Sequence, residues 1–106
     1  MLHHISIDTL FDVLSTRFNP EEKFDNNYKV CFSFSSGIQK NITIRNKVAV
    51  ISNNIDGNCD LKIISEEIEF KKTLTGLSSP VAQIASGDLI VEGSSSEFLI
   101  FLSKFR

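Results

Sequence analysis

The side chains that most often do chemistry are sparse and badly spaced in this chain. Its two histidines, His3 and His4, stand side by side at the start. A catalytic or metal-bound histidine needs fixed geometry and a partner on its other ring nitrogen, and residues this close to a chain start usually fray. That all but excludes Ser-His-Asp and Cys-His arrangements. Cys31 and Cys59 fall in separate strand-like runs, too far apart for a metal knuckle or redox motif. The sequence predicts two buried free thiols that pack as small apolar groups. Glu21-Glu22, Glu66-Glu67 and Glu69 sit at loop and helix-start positions and do not read as a glycosidase pair. The loop NNIDGN has too few spaced acids for calcium.

The segment IASGDLIVEG, residues 84–93, carries two glycines separated by five residues. A phosphate-binding loop would follow the second with Lys-Ser or Lys-Thr, and Gly93 is followed by serines. Gly87 reads instead as a helix C-cap and Gly93 as a turn. No catalytic constellation, metal site or cofactor is expected.

Composition narrows the class further. The 106 residues are 42% apolar with a net charge of −2, which suits one α+β domain with a real core. The cations are scattered, so nucleic acid is not an expected partner. No run approaches the roughly 18 apolar residues of a membrane helix, and the N-terminus does not read as a signal peptide. With no disulfide framework expected, the chain reads as cytoplasmic. Nine phenylalanines stand out against one tyrosine and no tryptophan. They either fill a core or line an apolar cavity.

Hydrophobic periodicity places the elements. Residues 6–18 form an amphipathic helix with Ile7, Leu10, Phe11, Leu14 and Phe18 on one face, Ser6 or Asp8 as cap, and Asn19-Pro20 as its end. YKVCFSFS alternates as a strand, with Tyr28, Val30, Phe32 and Phe34 facing one way. QKNITIR carries Ile42 and Ile44 on one face. Asn46-Lys47 makes a tight hairpin. KVAVIS is apolar on both faces and is expected in the centre of the sheet, and CDLKII puts Cys59, Leu61 and Ile63 on one face. These four strands are expected to form an antiparallel meander. Ser65 is the expected N-cap of a helix ending at Gly76, with Phe70, Leu74 and Leu77 on one face and Ile68 opposite. Ser79-Pro80 opens a short helix to Gly87, DLIVEG is a strand, and SSSEFLIFLSKFR is a final helix. The order is α-β-β-β-β-α-α-β-α: an antiparallel sheet of about five strands with helices on one face, one domain over 1–106 with residues 1–4 frayed. Val13, Ile68 and Ile100 are apolar residues off their helices' core faces, and they are candidates for an interface.

The region FKKTLTGLSSPVAQIASGDLIVEG, residues 70–93, resembles the sterol-carrier-protein-like fold and, within it, the C-terminal domain of alkyl sulfatases. The resemblance rests on Phe70, Leu74 and Gly76, on Ile84-Ala85-Ser86-Gly87, and on Leu89, Val91, Glu92 and Gly93. LFDVLSTRFN is similar to that domain's first helix. The resemblance implies a non-catalytic domain that holds acyl chains, sterols or other apolar molecules between sheet and helices, and that helps recruit the aliphatic tail for a metallo-β-lactamase-like sulfatase domain. The His-x-His-x-Asp-His zinc motif of that enzyme is absent from this chain.

Two functional readings follow. In the first, Phe32, Phe34, Phe70, Leu74, Leu77, Ile84, Phe98, Leu102 and Phe105 wall a cavity for a lipid or alkyl chain. No cation is placed by sequence to hold its headgroup, Arg45 and Lys104 being the nearest to candidates. In the second, the core is filled and the chain dimerises or binds a protein through Val13, Ile68 and Ile100.

Overall fold

The computed structural model describes residues 6–17, 28–45, 48–53 and 58–103. His3, His4, Phe18, Asn19-Pro20, Glu21-Glu22, Asn46-Lys47, residues 54–57 of NNIDGN, Lys104 and Phe105 lie outside the described residues. The elements are α1 (Ile7–Arg17), β1 (Tyr28–Phe34), β2 (Gln39–Arg45), β3 (Val48–Ser52), β4 (Leu61–Ser65), α2 (Glu67–Leu74), α3 (Pro80–Ser86), β5 (Leu89–Glu92) and α4 (Ser95–Ser103). This is the element order that periodicity predicts, in an α+β fold.

The sheet is mixed rather than an antiparallel meander. Its strand order is β3-β2-β1-β4-β5. β1 pairs antiparallel with β2 and parallel with β4, with Val30 opposite Leu61 and Phe32 opposite Ile63. After β3 the chain crosses three strand spacings, ~14 Å at about 4.8 Å each, to enter on the far side of β1. The eight residues between Ser52 and Leu61 can reach roughly 26 Å when extended, so a segment that reads as a tight turn has the length to cross over.

β3 is consequently an edge strand and β1 the central one. The second apolar face of β3 stays open, with Val48 and Val50 exposed, while Val30, Cys31 and Phe32 of β1 are all fully buried.

The crossover also corrects the expectation of free thiols. Cys59 lies just ahead of β4 and bonds Cys31 of β1, with Cα atoms 5.9 Å apart. Asp60 holds the same junction: its N–H donates to Lys29 O at 2.8 Å, and its Oδ2 accepts from Lys29 N–H at 2.7 Å. Cys59 therefore leaves the alternation of Leu61 and Ile63, since Cys31 lies on the face of β1 opposite Phe32. The premise for a reducing compartment goes with the free thiols.

The helices cover the inner face. Ile7, Phe11 and Leu14 of α1, Phe70 of α2, and Phe98, Phe101 and Leu102 of α4 join Val30, Phe32, Phe34, Ile42, Ile44, Leu61 and Ile63 in one core. α1 leans on β3, and α3 and α4 lean on β5. Local chemistry sets the helix ends. Ser6 Oγ accepts from Thr9 N–H at 3.1 Å, Ser79 caps α3 ahead of Pro80, and Ser94 Oγ accepts from Glu97 N–H at 3.2 Å. Ser65 does not cap α2 as expected. It ends β4, and Glu66 takes the N-cap place without a side-chain cap bond.

Gly87 ends α3 in the left-handed region, φ +88°. Gly93 turns the chain from β5 into α4 at φ +123°, so close to β4 that a Cβ would stand 2.7 Å from a Leu61 methyl and 3.2 Å from Asp60 O. These two roles account for the glycine spacing of IASGDLIVEG.

Candidate ligand-binding site

The residues expected to wall a cavity divide into two groups. Phe32, Phe34 and Phe70 do come together, but around a fourth ring. Phe11 of α1 stands edge-on to Phe32 at 5.1 Å between centroids and to Phe34 at 6.1 Å, and 5.7 Å from Phe70. Phe32 and Phe70 are 4.9 Å apart. Centroid separations of 4.5–7 Å are those of packed aromatic pairs, so this end of the core is filled.

The second group lines the other end of the same face. Phe98 and Leu102 are buried, while Leu74 and Ile84 are partly buried and packed against the core. Leu77 does not share the inward face of Phe70 and Leu74: it is 68% exposed. α2 stops at Leu74, Thr75 caps it, and Gly76 turns left-handed at φ +77°, so helical phase no longer governs Leu77. Val81 of α3, also exposed, lies four residues further on. Phe105 is outside the described residues.

The α2–α3 corner is tied by Glu69 and by two polar groups, Thr73 and Gln83, that the sequence did not single out. Gln83, 3% exposed, donates from Nε2 to Glu69 O at 2.8 Å and to Glu69 Oε1 at 3.2 Å, and its Oε1 accepts from the Thr73 hydroxyl. Lys72 Nζ reaches Glu69 Oε2 at 3.3 Å. Glu69, which the sequence suggests is a solvated carboxylate, is thus a tie between helices. It also borders two open clefts. One, of about 380 Å³, lies beside Ser33, Phe34, Ile64, Glu66 and Ile90, and the other, of about 430 Å³, beside Lys72, Ser78, Ser79 and Gln83. Both are of mixed polarity and open to solvent, unlike a closed lipid cavity.

Among the described residues two lysines are more than nine-tenths buried. Lys40 of β2 is paired with Asp8 of α1 and donates to Asn53 Oδ1 at 2.7 Å. Lys71 of α2 is 7% exposed, and no described residue gives its ammonium a hydrogen bond or ion pair. The signal for its burial was its place between Phe70 and Leu74, one turn from the latter. Arg45, named above as a headgroup candidate, is exposed at the end of β2, and Lys104 is outside the described residues.

Tyr28 joins β1 to α4. Its hydroxyl donates to Glu97 Oε1 at 2.8 Å, and its ring lies 6.5 Å from Phe101. Burial, then the Glu97 bond and the charges of Glu97 and Asp60, push its phenol well above the ordinary tyrosine range.

Of the interface candidates, Val13 is 40% exposed, and Ile68 and Ile100 are half-buried. Val13 and Ile100 ride on helices that lean on opposite edge strands. Among the described residues no group of three or more His, Cys, Asp or Glu could hold a metal ion. Among the described residues no helix is long and apolar enough to cross a membrane.

The alkyl sulfatase C-terminal family matches residues 1–106, and the chain belongs to that family. No curated protein matches its sequence. Among solved structures it is similar to the stereoselective inverting sec-alkylsulfatase Pisa1 from Pseudomonas sp., at 15% identity and a TM-score of 0.87, covering 99% of this chain and 17% of that one. The chain thus spans about one-sixth of that enzyme's length. It is also similar to the apo form of sterol carrier protein 2 from Yarrowia lipolytica, at 13% identity and a TM-score of 0.61, covering 95% and 96% of the two chains. A palmitated sterol carrier protein 2-like 2 from Aedes aegypti, at 12% identity and a TM-score of 0.63, covers 92% of each chain. At these identities the structural likeness establishes the sterol-carrier-protein-like fold.

Proposed function

We propose that this chain is a single, non-catalytic domain that binds the hydrocarbon tail of an amphipathic molecule and presents it to a metallo-β-lactamase-like sulfatase. The observation that carries this reading is the apolar gradient at the α2–α3 corner. Leu77 and Val81 are exposed, Leu74 and Ile84 are partly buried, and Leu89 is sealed. A tail laid along such a gradient leaves water without first opening the aromatic end of the core. At about 0.8 kcal/mol per buried methylene, an eight-carbon tail gains roughly 6 kcal/mol before the cost of association. Membership of the alkyl sulfatase C-terminal family and the palmitated neighbour of the same fold support the choice of ligand class.

Amide-resolved NMR titration with octyl sulfate, below its micelle concentration, tests this. Saturable shifts clustered at 70–84 and 98–102 are expected. Shifts scattered over the surface, or none, would sink the reading.

The second reading, a filled core and a protein-binding surface, is favoured by the insertion of Phe11 among Phe32, Phe34 and Phe70. It predicts that Ile100→Lys changes the sedimentation of the chain, or of its complex with a partner enzyme, and leaves alkyl binding untouched.

A further inference from the structure

We propose that the cleft at the carboxyl ends of β1 and β4 binds an organic ammonium ion, with Glu66, Asp88 and Ser65 as its acceptors. The site stands apart from the tail-binding reading above, because its residues fall outside 70–84 and 98–102. Topology makes the cleft. β1 and β4 are the parallel pair of the sheet, with Phe34 opposite Ser65 at their ends. From there the two chains part: β1 turns through Ser36-Gly37 into β2, and β4 runs into α2. In open sheets, strands whose chains diverge in this way leave a crevice beyond their carboxyl ends, and ligands bind there. Here the crevice measures about 380 Å³, and Gly87 and Asp88, just ahead of β5, form another part of its wall. That volume suits a small organic ligand.

Charge selects the guest. Among the described residues the lining carries three carboxylates, Glu66, Glu69 and Asp88, and no cation. Lys72 meets Glu69, so two charges remain. No described residue gives the Glu66 carboxylate a hydrogen bond or ion pair, and Asp88 takes one bond, from Ser86 Oγ at 2.8 Å. The partial charge at the start of α2, about half a unit, does not cancel them. These acids alone would be a solvated patch, and Ser65 distinguishes the cleft from one. Ser65 is 7% exposed, it lines the cleft, and its Oγ has no hydrogen-bond partner. It alternates with buried Leu61 and Ile63, so it stands on the face that α2 covers. A hydroxyl shut away without a partner is costly. An ammonium supplies it with a donor and keeps two more for the carboxylates. Because the hydroxyl is sealed from water, the guest enters with a swing of Glu66, the lining carboxylate that no described residue holds. Among the described residues no three acids are grouped to hold a metal ion. A larger cation also covers Ile64 and exposed Ile90 on the same wall.

Benzylammonium, benzyl alcohol and benzoate differ chiefly in charge, and each is titrated into the intact chain and followed by amide NMR. Benzylammonium is expected to shift residues 33–35, 64–66 and 87–90 saturably. It should bind about fivefold more tightly than benzyl alcohol, with benzoate weakest and the margin shrinking as salt is raised. Glu66→Gln and Asp88→Asn should each remove most of that margin. Asp12→Asn, at an exposed acid of α1 outside the cleft, should keep it. Ser65→Ala should retain native amide dispersion, since the hydroxyl has no partner in the fold, and should weaken benzylammonium several-fold. Benzyl alcohol binding as tightly as benzylammonium, shifts outside the cleft, or Glu66, Asp88 and Ser65 variants that bind like the intact chain would each overturn the proposal. A failed octyl sulfate titration leaves this site standing, and failure here leaves the tail site standing.

Discussion

The two ends of the core use apolar side chains in opposite ways. Around Phe11, four rings from α1, β1 and α2 interlock, and each is at most 4% exposed. At the α2–α3 corner the apolar residues run from sealed Leu89 to half-buried Leu74 and Ile84 to exposed Leu77, and the helices are joined by Gln83, Thr73 and Glu69 rather than by apolar packing alone. The first arrangement resists any guest, because a close-packed interior has no slack. The second leaves apolar surface in water, an arrangement that a ligand or partner relieves. The lesson is that the number of phenylalanines says little about a cavity. What matters is whether a helix delivers one more ring into the space between the others.

Substitutions can break or sharpen this contrast. The largest effect is expected at the closed end. Phe70→Ala should cost about 3–5 kcal/mol, measured by urea unfolding, and a loss below 1 kcal/mol would show that the aromatic end is not tightly packed. Removing the Cys31–Cys59 bond, which closes a separation of 28 residues, should cost about 3–4 kcal/mol by the loop-entropy relation. The comparison is of reduced and oxidised chain in the same denaturant series.

Gly93→Ala should cost about 1–3 kcal/mol, because an alanine is strained at φ +123° and crowds Leu61 and the Asp60 carbonyl. Tyr28 gives a pH test. Its phenol loses its proton less readily folded than unfolded, so its contribution is complete below the unfolded value near 10 and is lost as pH rises above it. Stability should fall more steeply above pH 10 for the intact chain than for Tyr28→Phe, and parallel curves would refute the assignment. At the open corner, Leu77→Ser should change stability by less than about 0.5 kcal/mol while weakening octyl sulfate binding several-fold. A large loss of stability with unchanged binding would reverse the roles of the two ends.

Much of this was legible in the residues. Hydrophobic spacing marked α1, the strands and α4, and Ser6, Ser79-Pro80 and Gly87 marked helix ends, because caps and periodicity act within a few residues of chain. The class of fold came from the same local signals, and the family resemblance from the particular residues of 70–93. The failures all involve partners distant in sequence. KVAVIS is apolar on both faces wherever it lies, so nothing local shows that its outer face stays bare at an edge. NNIDGN reads as a turn whether the next strand pairs with β3 or crosses to β1. Cys31 and Cys59 could be paired only once β4 was known to lie beside β1.

The sequence by itself determined the order and type of the elements and the absence of a histidine-based triad or zinc motif, because these depend on residue type and near spacing. Tertiary structure decided that the sheet is mixed, that the two cysteines are joined, that Phe11 closes one end of the core, and that Lys71, unlike exposed Arg45, is a buried cation whose ammonium has no partner among the described residues. Those outcomes depend on which surfaces meet across the sheet, and burial is a property of the meeting rather than of the residue.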